Sequence, residues 1–146
     1  MTAPAPGRPP RSRAGGWPHP FREQPWDRIA AWFHEVAAQN RHYRHMADIV
    51  DSVRACGGEE RLAGLTSMHD LVVTPRPVRA APPVEVVVVR APSSGLVGEG
   101  GVLIAHWSTT GRDDEIHRPA DEAVPLFWRF VIEKFGVEPV RPLSSG

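Results

Sequence analysis

The sequence predicts an α+β domain: a long N-terminal helix, a three- to four-stranded antiparallel sheet, and a C-terminal helix packed on that sheet. Three observations carry this. Apolar residues recur in steps of three and four from Trp26 to Val50, the spacing of one helical face. Two short runs, 84–90 (VEVVVVR) and 102–109 (VLIAHWST), are rich in β-branched residues and bounded by proline- and glycine-rich connections, as strands are. A last apolar block, 126–135, has Asp121 and Glu122 before it and Gly136 after it, the charges and the glycine that suit the two ends of a helix.

At 146 residues the chain fits one domain. Residues 1–24 hold Pro4, Pro6, Pro9, Pro10, Pro18 and Pro20 among four arginines. Such a stretch buries too little apolar surface to offset the entropy of ordering, so a disordered or polyproline II tail is expected. Trp17 and Phe21 are the exceptions, large enough to dock back onto the body. The body is expected over 25–137, with a second disordered tail at 138–146, where Pro139 and Pro142 end regular structure.

The first helix starts at Pro25-Trp26-Asp27, because proline and aspartate suit a helix entry. Its stripe runs Trp26, Ile29, Phe33, Val36, Asn40, Tyr43, Ala47, Val50. Unbroken to Ala55 it would be about 45 Å long. Either it spans a wide sheet, or it breaks at Gln39-Asn40-Arg41, or it pairs with a second copy, with Asn40 setting coiled-coil register. Gly57-Gly58 ends it. Residues 62–74 then read as one strand with Leu65, Ser67, His69, Leu71 and Val73 on a shared face. Four prolines between 75 and 83 make a stiff connection without ladder donors. Ile116-His117 forms a short edge strand before Pro119. In the last helix Pro125 must lie in the first turn, where a missing N–H costs least.

The two middle strands do not alternate apolar with polar: Val84, Val86 and Val88 share one face, and Val87 and Val89 the other. An antiparallel sheet with a wet face would alternate. Both faces must therefore be covered, by one helix each or by both helices on one side and a partner on the other.

Charge excludes several roles. Seventeen basic residues balance seventeen acidic ones, so no field draws nucleic acid or an anionic membrane. No apolar run is long enough to span a bilayer, and the arginine-rich start lacks the apolar core of a signal peptide. A lone Cys56 excludes an internal disulfide and suits a reducing cytoplasm. Sixteen arginines against Lys134 alone point to codon bias in a high-GC bacterium.

Candidate chemistry is sparse. His69-Asp70, in a strand, would point to opposite faces and share no metal. His42, His45 and Asp48 stand three apart on the first helix, beside Arg41 and Arg44, and read as a solvated face. The turn 109–117 (TTGRDDEIH) is the richest polar stretch. Asp113, Asp114 and His117 there, with His106 on the preceding strand, form the alternative site of a small metal-dependent or acid–base enzyme. Ser108 faces the same way as His106 but lacks the nucleophile-elbow pattern. The glycines from 95 to 101 precede a strand, not the helix N-terminus that would cradle phosphate.

The function expected is a non-catalytic protein–protein interaction module, as a homodimer or as an accessory, chaperone-like or immunity-type partner. No cofactor, metal, nucleic acid or membrane is implied. Trp26, Phe33, Tyr43, Trp107 and Trp128 are the expected interface anchors, since Trp and Tyr dominate such surfaces. A third reading is a binder of an apolar small molecule between sheet and helix.

Overall fold

The computed structural model describes residues 15–92, 97 and 100–141. Its frame is a five-stranded antiparallel meander in chain order: β1 (Leu62–Ser67), β2 (Asp70–Pro75), β3 (Val86–Val89), β4 (Gly101–Trp107) and β5 (Asp114–Pro119). Three helices, α1 (Trp26–Gln39), α2 (Arg44–Ala55) and α3 (Ala123–Phe135), complete it. The α+β class and the C-terminal helix on the sheet are as expected. The sheet has five strands rather than three or four.

The extra strand comes from residues 62–74, which form a hairpin instead of one strand. Met68 and His69 turn the chain with φ of 52° and 74°. A tight two-residue hairpin favours left-handed glycine or asparagine, and neither residue carries that signal. The turn also separates the faces: Leu65 lies on one side of the sheet with Val72, whereas Leu71 and Val73 lie on the other.

The first helix breaks at Asn40, the second of the alternatives open in the sequence. Asn40 is extended (φ −145°), and its side chain accepts from the backbone N–H of His42, the local bond by which asparagine competes with a helix. The break folds α2 back against α1. α1 lies on β1, α3 lies on β3 and β4, and α2 packs against both helices.

All three helices are on one face. There Phe33, Met46, Ile49 and Val50 close over Leu71, Val87 and Ile104 together with Phe127 and Trp128. Trp26 donates from Nε1 to the Leu62 carbonyl at 2.9 Å, and Trp128 donates from Nε1 to Ser52 Oγ at 2.9 Å, so each indole satisfies its one polar atom. Gly64 lies beneath Trp26, where a Cβ would stand 2.8 Å from the ring.

The opposite face is dry too, but the chain covers it without a helix. Residues 15–24 run across it, pairing Trp17 with Val84 and Gln24 with Gly64. Phe21 packs with Ala63, Leu65, Val72, Val86 and Val88. The expectation of one helix per face, or of a partner over the second face, is thus corrected: the N-terminal strap does that work. At the other end of the chain the Val140 and Arg141 N–H groups both donate to the Cys56 carbonyl at 2.9 Å. Residues 1–14 and 142–146, expected as tails, and most of the 93–99 glycine-rich loop lie outside the described residues.

Candidate functional site

Two surface regions bring functional side chains together. The first is polar and sits where the sheet runs beyond the C-terminal end of α3. Because β4 and β5 pair His106 with Asp114, both side chains fall on the helix side. Glu85, on the same side of the approach to β3, reaches His106 Nε2 at 2.6 Å. Lys134, near the end of α3, donates to Asp114. That ammonium holds the Asp114 carboxyl below the usual carboxylate range. Ser108, Thr110 and Arg112 complete an open concavity of about 460 Å³.

The expected set His106, Asp113, Asp114 and His117 is therefore only half assembled. Asp113 turns back to accept from the Ser108 backbone N–H at 2.8 Å, a turn-forming bond. His117 pairs with Leu103 and points to the other face, because alternate residues of a strand do. Ser108 Oγ bonds Thr110 Oγ1 rather than His106. Glu85 and Lys134 are the members that sequence reasoning missed, and no local spacing could have found them. His106 is only 6% exposed. A carboxylate can only accept, so Nε2 is the protonated nitrogen facing Glu85, while Nδ1 is buried without a partner. Among the described residues, no three of His, Cys, Asp and Glu gather so as to hold a metal ion.

The second region surrounds the β1–β2 turn. Met68 is 88% exposed, the most exposed large hydrophobic among the described residues. On one side of the tip, His69 lies 4.9 Å from the Trp32 ring and 5.8 Å from Tyr43. Glu35, Val36 and Asn40 close that hollow. On the other side Trp17 stacks on Trp107 at 6.1 Å, and the Arg90 guanidinium lies 5.3 Å over the Trp107 ring. Asp70 anchors the base of the tip, accepting from Arg90 Nη1 at 2.9 Å and from the Ala91 N–H at 2.7 Å. His69 and Asp70 thus have separate duties, as their directions require.

Of the five expected anchors, Trp26, Phe33 and Trp128 are core residues with no surface to offer. Tyr43 is nearly buried but borders the hollow beside His69, and Trp107 is half-buried in the hollow on the far side. Trp32, Trp17 and Met68 were missed. Trp32 had a legible signal, since it is an aromatic just off the apolar stripe of α1. His45, expected on a solvated face, is buried, and burial pushes its imidazole below its ordinary value, against the opposing pull of Asp48. Cys56 is buried as well, which pushes its thiol up.

Compared with protein-family models, curated proteins and solved structures, the chain finds no match.

Proposed function

We propose that the protein is a non-catalytic binding module of the cytoplasm, engaging another protein through the Met68–His69 tip and the aromatic hollows on either side of it. An apolar sheet face in need of cover does not support association, because the chain's own strap covers it. A different observation now supports the reading. The turn holds two non-glycine residues in the left-handed region, a strain of order 1–3 kcal/mol each, and places a thioether in water. An Asn-Gly turn would make the same hairpin without that strain. Strain kept at an exposed, apolar tip is accounted for when the tip meets something. Methionine suits this, because its flexible, polarisable chain fits irregular surfaces. Trp32, Tyr43, Trp17, Trp107 and Arg90 are the residue types that anchor interfaces. The lone cysteine, buried and unpaired with another, accords with a reducing compartment. No helix of the described residues is long and apolar enough to cross a membrane.

The acid–base reading has one observation in its favour, the 2.6 Å Glu85–His106 contact in an open concavity. Against it, His106 is sealed and Asp114 is taken by Lys134. The cluster is better described as a polar tie joining β3, β4, β5 and α3.

A photo-crosslinking analogue at position 68 tests the proposal, with extract from the source cells. One protein partner should be captured, and capture should fall at least about tenfold, the equivalent of roughly 1.4 kcal/mol, when Trp32→Ala and Trp107→Ala are added. Undiminished capture, with the variants still folded, would sink the proposal.

A further inference from the structure

The two edges of the sheet are treated differently. Three outward groups of β1 are taken up: the Leu62 carbonyl by Trp26 Nε1, the Gly64 carbonyl by the Gln24 N–H at 2.8 Å, and the Thr66 N–H by Gln24 Oε1 at 3.1 Å. Closing an edge in this way prevents stray pairing. At the other end, no described segment pairs with the outer edge of β5.

Which groups β5 presents follows from the ladder. Leu103 accepts from the Arg90 N–H, and Gly100 accepts from the Ala120 N–H. Antiparallel strands alternate the direction of their bonds, so Val102, Ile104 and His106 bond toward β5, using Arg118, Ile116 and Asp114. Glu115 and His117 therefore turn their N–H and C=O groups outward. The His117 carbonyl accepts from the Arg118 side chain of its own chain at 2.8 Å. Pro119 falls in the same outward class, where its missing N–H leaves the β4 ladder intact.

The side chains of β5 read Asp114, Glu115, Ile116, His117, Arg118: acids, one apolar residue, bases. Two copies of β5 that pair antiparallel about Ile116 set Glu115 opposite His117, which is the pairing the outward backbone groups require. The same register sets Asp114 opposite Arg118 and Ile116 on its own copy at the two-fold axis. Asp114, Ile116 and Arg118 lie on the helix side, and Glu115 and His117 on the other, so each face sets acid against base, with Asp114 shared with Lys134 and Arg118 with Glu122 of its own chain. Charges on an edge strand ordinarily repel a second strand; this arrangement attracts a copy of itself.

We propose that the protein forms a two-fold dimer by β5-to-β5 pairing, giving one continuous ten-stranded sheet. The Met68–His69 tip is on the β1–β2 side of the sheet, and Trp107 of its second hollow is on β4 but faces away from the outer edge of β5, so the dimer rests on other observations and leaves both tips free.

Analytical ultracentrifugation of the full chain across a concentration series tests it. Wild type is expected to show a concentration-dependent dimer. His117→Pro removes an outward N–H without touching the β4 ladder, and should weaken the dimer at least about tenfold. Two charge variants guard against misfolding as an explanation: Glu115→Lys/His117→Lys and His117→Glu should each be monomeric alone and form a one-to-one dimer when mixed. A wild type that stays monomeric at the highest soluble concentration overturns the proposal. So does a dimer unaffected by His117→Pro, or a mixture of the charge variants that does not associate.

Discussion

On one side of the sheet, Leu71, Val87 and Ile104 meet Phe33, Phe127 and Trp128 from regular helices. On the other, Val72, Val86 and Val88 meet Phe21 from a strap with neither helix nor strand. The valines are equally buried on both sides. Dryness alone therefore says nothing of how firmly a face is held. The helix layer is fastened by helical backbone bonding, interlocking aromatics and the Trp128–Ser52 bond. The strap is held by its bridges at Trp17 and Gln24 and by two large side chains. Segments with few buried contacts open at lower free energy than the core they cover.

Truncation on each side sharpens this difference most. Phe127→Ala should lower unfolding free energy by about 3–5 kcal/mol, the usual cost of emptying a fully packed aromatic site. Phe21→Ala should lose about 1.5–3 kcal/mol, close to the transfer energy alone, since a strap can settle into the space. Phe21→Ala should also raise binding of a hydrophobic dye at temperatures where the far-ultraviolet circular dichroism is unchanged. Equal losses from the two variants in chemical denaturation would break the comparison.

A smaller effect is expected at the tip, which borders both regions. Replacing Met68-His69 with Asn-Gly should raise unfolding free energy by about 1 kcal/mol, because the left-handed conformation suits those residues. A loss of stability would mean that the His69 contacts with Trp32 and Tyr43 outweigh the strain, and the argument for a functional tip would weaken.

The least change at neutral pH, and the most informative pH dependence, is expected at His45 in the helix layer. Its folded-state value is lowered by burial, so the unfolded chain binds the proton more readily. Stability is then complete above the ordinary imidazole value of about 6.5 and is lost as pH falls through it toward the folded value. His45→Leu should leave the melting temperature near pH 8 almost unchanged and flatten its decline between pH 7 and 5. An unchanged slope would show that the buried ring is not what makes the helix layer acid-sensitive.

What could be read from the chain alone follows from local chemistry. The helix entry at Pro25 and the stop at Gly136 are legible because capping and termination depend on neighbours in sequence, whereas the interruption at Asn40 was only one of several alternatives the chain left open. The dryness of both sheet faces was equally legible, since Val84 through Val89 leave no polar side. Which element dries each face was decided by the tertiary structure, because Trp17 and Phe21 sit in a stretch whose composition argues for disorder until the sheet offers them a surface. The Met68–His69 turn was invisible for the opposite reason: its backbone is imposed by Leu65 pairing with Val72 across it, against the preferences of the two residues. Glu85, His106, Asp114 and Lys134 meet only through strand register and the end of α3. Side-chain parity is set by a ladder whose partners are distant in sequence, and no local pattern records it.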